Sequence, residues 1–436
     1  MVKIIILLVS LYVAQVWAME GVSQATLKNG LKIIVKTDNR APVFISQLWY
    51  KVGASNEKRP LTGVSHMLEH MMFKGTDNYK TGEFSKIIAR NGGDENAFTS
   101  NDYTAYYQKM HKSKLALALK MEADRMRHLQ LSNDEFEKER QVVIEERRLR
   151  IEDNPNANVA EHLNLISFAK KSAYHSPVIG FKKDIETYKL SDLRTWYETY
   201  YAPNNATLVV VGDVDAKAVI ALAQQYFGGY KANVNIGNID DNPSITQTGQ
   251  SHVLKLKAKL PFSILSFPVP SLKTASDKHS AYALDMLAFV LDNGLSKTLV
   301  RDQQIASSIG VGYGLYSKYD ALLTLSFIPA KGVSNEAVLS AIKMQVAELI
   351  KKPAMIKEEL LRTKIQLEAS FVFEQDHIST QSYYLGMLAT VGLSIETLFS
   401  YVDKMRAVSA EDVAQVAKQY LHFSAANSVQ LIPQGD

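Results

Sequence analysis

The sequence predicts an α+β protein with two similar domains, each a mostly antiparallel sheet packed with helices. Its 436 residues favour two or three domains. Alternating, β-branched runs are interspersed with segments of helical periodicity. A helix-to-strand pattern then recurs in the second half of the chain. The composition, 46% hydrophobic and 22% charged, is that of an ordinary globular protein, and a net charge of +4 is too weak to predict a nucleic-acid binder.

The recurring pattern indicates internal duplication. Five positions match at a constant offset of 220 residues: Leu193 with Val413, Tyr200 with Tyr420, Ala206 with Ala426, Val209 with Val429, and Val211 with Leu431. In both places a helix opened by serine, Ser191 or Ser409, leads through a tyrosine into a strand. The alternative is that short helix-to-strand junctions simply resemble one another, but one offset held over nineteen residues favours duplication.

The element pattern places two domains around a polar linker. The sequence predicts a hairpin over 26–35 with an Asn-Gly turn, strands over 43–52, 97–109 and 208–212, and helices over 61–74, 82–91, 112–128 and 133–152. Residues 233–251 are rich in Asn, Gly, Asp, Ser and Gln, which is typical of a linker. The predicted domains are therefore 19–232 and 252–436.

Residues 1–18 read as a secretory signal peptide. A basic start at Lys3 precedes an almost wholly apolar run from Ile4 to Trp17, and Ala18 offers a small residue before a cleavage point. Fourteen apolar residues fall short of the roughly 20 that span a bilayer, so an uncleaved anchor is the weaker reading. We expect an exported protein without a membrane anchor, periplasmic if the source is a Gram-negative bacterium.

One histidine motif carries the predicted chemistry. The chain has no cysteine, which excludes a thiol nucleophile and any Cys-ligated metal. His66, Glu69 and His70 stand at positions i, i+3 and i+4 of a predicted helix, so their side chains share one face. The two imidazoles, about 6 Å apart along the axis, can converge on one cation. This H-x-x-E-H spacing is the inverted zincin signature, in which the glutamate assists without being a ligand.

A third ligand is expected from the acidic segment 134–148. Glu139 and Glu146 lie seven residues apart, so they share nearly one helix face about 10.5 Å apart. Only one of them can bind the metal directly, which leaves the other to support a ligand or face substrate. Taken alone, the segment is typical of a solvated helix with i, i+4 ion pairs.

Together these motifs resemble the pitrilysin, insulysin and mitochondrial processing peptidase family. The resemblance covers essentially the whole chain after residue 18. It is carried by these segments: His66–His70, Phe73–Thr76, Asn96–Thr99 with Asp102 and Thr104, Glu139–Glu146, and Tyr201–Asn205 running into Val210–Asp213.

The resemblance implies a zinc metalloendopeptidase with one zinc per chain. His66, His70 and Glu146 would be the ligands, Glu69 the general base, and Glu139 the supporting acid of the catalytic set. Asn96, Ala97 and Phe98 would bind peptide substrate along a strand edge. The chain's size resembles the short, dimeric branch of the family.

The second half lacks both a metal motif and a complete substrate-holding pair. The family usually supplies an Arg and a Tyr seven residues apart, but the best register here places Val300 and Ser307 at those positions. A shift by one recovers Arg301 but gives Ser308. The resemblance therefore implies the catalytic subunit of a heterodimer whose zinc-less partner supplies the pair. The alternative is a homodimer that uses Arg301 and another tyrosine such as Tyr313.

Two classes of function remain at this stage. The first is a zinc endopeptidase that acts on peptides or unfolded segments. The second is a non-catalytic scaffold subunit of the same fold. The intact set of His66, Glu69, His70 and Glu146 favours the enzyme.

Overall fold

A computed structural model describes residues 17–19, 21–236 and 246–434. The predicted signal peptide lies outside the described residues except for 17 and 18, and so does the middle of the predicted linker. The strands are β1 (Trp17–Met19), β2 (Val22–Thr26), β3 (Lys32–Thr37), β4 (Val43–Tyr50), β5 (Asp94–Thr99), β6 (Thr104–His111), β7 (Ala206–Gly212), β8 (Ser251–Lys257), β9 (Phe262–Val269), β10 (Ala306–Tyr313), β11 (Ala321–Pro329) and β12 (Asn427–Gln434).

The helices pack mainly on one face of each sheet. They are α1 (Val64–Met71), α2 (Glu83–Arg90), α3 (Leu115–Arg127), α4 (Asn133–Arg147), α5 (Pro155–Ser167), α6 (Lys182–Thr187), α7 (Leu190–Tyr200), α8 (Ala216–Phe227), α9 (Lys278–Leu295), α10 (Asn335–Lys351), α11 (Lys357–Glu374), α12 (Ile378–Val391), α13 (Glu396–Ala407) and α14 (Ala410–Tyr420). Single π-helical turns, Arg148–Glu152 and Ser296–Asp302, extend α4 and α9.

The two sheets share one topology. Within the described chain the first has the order β1-β2-β3-β7-β4-β6-β5 and the second the order β10-β11-β9-β12-β8. Five strands correspond in order, β3-β7-β4-β6-β5 with β8-β12-β9-β11-β10, and in each series one parallel pair is followed by three antiparallel pairs. Strands β1 and β2 add two further antiparallel pairs to the first sheet. Both sheets are therefore mixed but mostly antiparallel, as predicted, and the shared order agrees with duplication. Helices α7 and α14 begin and end 220 residues apart.

Each half lends one helix to the other half's sheet. Val159, Leu163 and Ile166 of α5 pack against β12 of the second sheet. In return, α12 covers the face of the first sheet opposite its own helices. Gly386 of α12 lies so close to Trp49 of β4 that a Cβ there would approach the indole ring to 2.1 Å. The predicted domain boundaries stay a prediction, because α5 and α12 each pack on the sheet of the other predicted domain.

Two local predictions were wrong. Residues 97–109 are two strands rather than one, because the chain turns at 100–103 and pairs β5 antiparallel with β6. Ser191 lies inside α7, which begins one residue earlier with Lys189 as the cap residue. There the Asp192 carboxylate accepts the Lys189 N–H, as Asp412 accepts that of Ser409 before α14.

Candidate metal centre

Helix α1 is held in place at its N-terminus by a buried carboxylate. Glu57 accepts the backbone N–H of Gly63 at 2.6 Å and that of Ser65 at 2.8 Å. These are N–H groups that a helix leaves without intrahelical partners. An acidic group at this end also interacts favourably with the positive end of the helix dipole. Gly63 has φ 84°, a conformation that favours glycine. The helix that carries the histidines therefore starts at a defined point and angle.

Three side chains from two helices converge beside α1. His66 and His70 of α1 meet Glu146 of α4, and their ligand atoms all lie within 4.8 Å of one another. Glu146 Oε2 is 3.7 Å from His66 Nε2 and 3.3 Å from His70 Nε2. Its other oxygen, Oε1, pairs with Arg150 at 2.9 Å. Among the described residues this is the one group of three or more such side chains that could hold a metal ion.

Glu139 lies behind the cluster rather than in it. Its Oε1 is 2.9 Å from His70 Nδ1, and its Oε2 is 2.5 Å from Lys74 Nζ. With Nδ1 hydrogen-bonded to Glu139, the Nε2 side of the His70 ring faces Glu146 and the space between the ligands. Burial opposes ionisation of Glu139, but the hydrogen bonds from His70 and Lys74 outweigh burial and lower the pKa of its carboxyl.

The two histidines differ in their electrostatic surroundings. Burial, and then the nearby His70, lower the pKa of His66 to about 4, so His66 is neutral at physiological pH. Burial also disfavours protonation of His70, but Glu139 and Glu146 outweigh it and raise its pKa to about 9. The hydrogen bond from His70 contributes most to the lowered pKa of Glu146. The pair thus presents one neutral imidazole and one that two carboxylates polarise.

Glu69 stands beside the cluster as a separate acid. It emerges one residue before His70 and receives a short hydrogen bond from the Thr99 hydroxyl at the end of β5. Burial raises the pKa of Glu69, and the Thr99 hydrogen bond partly offsets that rise. A carboxyl with a raised pKa beside a candidate metal site suits proton transfer near neutral pH.

The donor set fits zinc. Two imidazole nitrogens and one carboxylate oxygen form the ligand set of many catalytic zinc sites, which keep a fourth position open. Tetrahedral ligands about 2.1 Å from a metal lie about 3.4 Å from one another. The separations of Glu146 from His70 and His66, 3.3 and 3.7 Å, are close to that spacing.

Comparisons with known proteins identify the family of this chain. The first half, residues 32–178, matches the family model described as insulinase (peptidase family M16), and residues 187–367 match the peptidase M16 inactive domain. The zinc protease PqqE of Helicobacter pylori is 31% identical over 94% of this chain and 92% of its own length. The chain belongs to peptidase family M16. The uncharacterized zinc protease YmxG of Bacillus subtilis is 25% identical over 91% of this chain and 95% of its own length.

A solved M16 relative has the same architecture. The crystal structure of a protease from Helicobacter pylori superposes with a TM-score of 0.88 at 29% identity, and the match covers 95% of this chain and all of that one. The predicted α+β fold of two similar domains and the predicted family are therefore confirmed. In this M16 chain no single described helix meets the length and apolarity needed to cross a membrane, although the bent pair α12 and α13 does so jointly.

The structure locates the other predicted residues without testing their roles. Asn96, Ala97 and Phe98 lie on β5, the edge strand of the first sheet, next to α1. Val300 lies in the π turn after α9, and the Ser307 hydroxyl donates to the Pro329 carbonyl. The Tyr313 hydroxyl donates to the Pro270 carbonyl at 2.6 Å, so it is already engaged within its own half.

Three residues around the site were missed as contributors. Thr99 and Lys74 lie in the segments that carry the family resemblance, but the sequence assigns them no role at the site. Glu57 belongs to no motif, because its partners are backbone N–H groups six and eight residues away. An acidic residue shortly before a predicted metal-binding helix is the sequence signal that points to it.

Proposed function

We propose that this chain is a zinc metalloendopeptidase that hydrolyses peptides or unfolded segments with one zinc per chain. The convergence of His66, His70 and Glu146 with Glu69 alongside carries this proposal. When bound, zinc supplies Lewis acidity: it lowers the pKa of a water molecule and polarises a peptide carbonyl. The relatives' names, which are those of zinc proteases, support the same chemistry.

In this proposal the protein's own groups divide the work of hydrolysis. Glu69 accepts the proton of the attacking water and then donates it to the departing amine, which its raised pKa favours. Thr99 holds the Glu69 carboxylate in one orientation through its hydroxyl. Glu139 fixes the His70 tautomer, so that His70 presents Nε2 to the metal.

The substrate would bind along the free edge of β5. An edge strand offers unpaired N–H and C=O groups, to which an extended peptide can add as a further strand. Asn96, Ala97 and Phe98 would make these main-chain contacts, and β5 ends at Thr99, the partner of Glu69. Main-chain pairing supplies affinity with loose sequence preference, which suits a peptidase of unfolded segments.

We further propose that the chain is the catalytic subunit of a heterodimer. Neither Val300 nor Ser307 carries a group that can donate a hydrogen bond over the reach of an arginine or tyrosine, and Ser307 is bonded to its own sheet. In the homodimer alternative, Arg301 would act with another tyrosine such as Tyr313, but the Tyr313 hydroxyl already donates to the Pro270 carbonyl. A homologous zinc-less subunit would therefore supply the Arg/Tyr pair. The apolar N-terminal segment supports export, with the periplasm as the expected location.

The test combines metal content with peptide cleavage. We expect one zinc per chain, and loss of activity when a chelator removes it. Glu69→Gln should retain zinc yet lose about 10²–10⁴-fold in turnover, because it removes the base but no ligand. His66→Ala and His70→Ala should lose both metal and activity. Full activity in Glu69→Gln would contradict the role of Glu69 as general base, whereas a zinc-loaded parent chain without activity, alone or with its partner, would favour the scaffold alternative.

A further inference from the structure

A cavity of about 670 Å³ lies between the two halves of the chain. Its walls come from the 100–103 turn, from α9, α11 and α12, and from the segment after β10. Its volume is within the range of small-ligand sites, about 300–1,000 Å³. Ser100 lines it, and the preceding residue, Thr99, contacts Glu69. The cavity lining and the Glu69 contact therefore involve consecutive residues, Ser100 and Thr99.

The walls of this cavity favour a positive charge. Among the described residues that line it there is no lysine, arginine or histidine, but there are three acids and six tyrosines. Two of the acids are engaged: Asp102 accepts the Tyr174 hydroxyl at 2.6 Å and interacts electrostatically with the buried Lys318, and Glu374 accepts the Tyr384 hydroxyl at 3.3 Å. The third acid, Asp285, differs from both.

Asp285 is a buried carboxyl without a cationic partner. Its side chain points from α9 toward the cavity with only 8% exposure, and its Oδ2 accepts the Tyr401 hydroxyl at 2.9 Å. Burial raises the pKa of Asp285 to about 7, which that hydrogen bond offsets only in part. No described lysine, arginine or histidine forms an ion pair with it. A buried charge of this kind is costly unless a partner compensates it.

Aromatic rings surround the Asp285 carboxyl. The Tyr401 ring centroid lies 6.4 Å from that of Tyr316 and 5.9 Å from that of Phe371, and all three rings line the cavity. Ring faces attract ammonium and guanidinium groups, most strongly where water is excluded. The carboxylate can pair with the charged end of a long cation. The neighbouring ring faces can pack against its apolar stem.

We propose that this cavity binds an alkylammonium or alkylguanidinium group, with Asp285 as its counter-ion and Tyr316 and Tyr401 as its walls. The group has two possible sources: a lysine or arginine side chain of a peptide, or a free organic amine. The peptide source rests on the proposed function and would make the cavity a specificity site for basic substrates. The free source does not depend on that function.

The first test uses small probes and needs no catalysis. Ethylguanidinium and n-butylammonium are titrated calorimetrically into the full chain in phosphate buffer, with N-ethylurea and n-butanol as uncharged analogues. We expect saturable binding of the cations alone. Asp285→Asn, which keeps the side-chain volume, should weaken it at least tenfold. Asp403→Asn, an exposed aspartate of α13, should leave it unchanged.

A second variant keeps the proposal falsifiable if Asp285→Asn does not fold. Tyr316→Leu should weaken cation binding, whereas Tyr316→Phe, which keeps the ring, should not. Equal binding of charged and uncharged probes, or wild-type affinity in Asp285→Asn or Tyr316→Leu, would overturn the proposal.

The last arm separates the two sources. Paired peptides that differ only by lysine or norleucine at one position are bound to the zinc-loaded Glu69→Gln chain. At least tenfold tighter binding of one lysine peptide, abolished by Asp285→Asn, assigns the cavity to substrate side chains. Cation binding without peptide discrimination assigns it to a free amine. This arm measures peptide binding, and the proposed function is tested by peptide cleavage. Failure of the proposed function can therefore be told apart from failure of the cavity proposal.

Discussion

His70 is held between two carboxylates, with Glu139 Oε1 2.9 Å from its Nδ1 and Glu146 Oε2 3.3 Å from its Nε2. The seven-residue spacing of the two glutamates along α4 puts them on opposite sides of one imidazole. Glu146 also approaches His66, whereas Glu139 is paired with Lys74 and turned away from the cluster. The structure therefore favours Glu146 as the ligand and Glu139 as the residue that orients His70.

The two glutamates should separate when each is replaced by glutamine. Glu146→Gln should weaken zinc binding by orders of magnitude, because a neutral amide oxygen is a poor ligand. Glu139→Gln should retain metal with a loss of about 10–100-fold in affinity or activity, since it disturbs only the orientation and basicity of His70. Zinc content and competitive chelator titration measure both. Equal metal loss, or greater loss from Glu139→Gln, would reverse the assignment.

Thr99→Val should shift the acid side of the pH–activity profile. The Thr99 hydroxyl stabilises the ionised Glu69 carboxyl, so its removal should raise the Glu69 pKa further. A general base must be ionised in the free enzyme, so the acidic limb of kcat/KM should move to higher pH. Activity at low pH should fall more than activity at the optimum. Thr99→Ser, which keeps the hydroxyl, is the matched control; a parallel shift in both variants would contradict the role of the hydrogen bond.

The isolated chain should bind zinc but cleave peptides poorly. Loss of one donor to a developing oxyanion costs about 10²–10³ in turnover, and Val300 and Ser307 leave that position without the expected donors. Addition of the homologous zinc-less subunit should restore activity, and substitution of that subunit's arginine or tyrosine should remove it again. Full turnover by a homogeneous preparation of this chain alone would exclude the heterodimer.

Asp285 should make stability depend on pH. Its folded pKa of about 7 lies above the usual range of an aspartate, so the folded state holds a proton that the unfolded chain releases. The resulting stabilisation is full below about pH 4 and is lost as pH rises to about 7. Between pH 5 and 7 the wild type should lose roughly 2–3 kcal/mol relative to Asp285→Asn. Urea unfolding of both chains in amine-free buffer measures this difference, and parallel curves would contradict it.

The sequence predicted what local spacing controls and missed what the tertiary fold brings together. The i, i+3, i+4 spacing of His66, Glu69 and His70 and the seven-residue spacing of the glutamates follow from helix geometry alone. The hydrogen bond from Thr99 to Glu69 depends on the turn at 100–103. Ser100, Asn101 and Asp102 are local signals for that turn, which the prediction of one strand over 97–109 leaves out. Glu57 acts on backbone N–H groups, which carry no residue signature. The packing of α5 on the second sheet and of α12 on the first brings together residues far apart in sequence, which local patterns do not predict.

That exchange has a consequence for the order in which the chain can be completed. The first sheet is whole once Gly212 has left the ribosome, but α12, which covers its second face, begins at Ile378. At about 5–20 residues per second, translation of the intervening segment takes on the order of ten to thirty seconds. Throughout that interval the apolar face around Ile45, Trp49 and Val209 has no cover from its own chain. We expect such a nascent chain to depend on chaperones that bind unfolded segments. A fragment that stops before α12 should aggregate rather than fold.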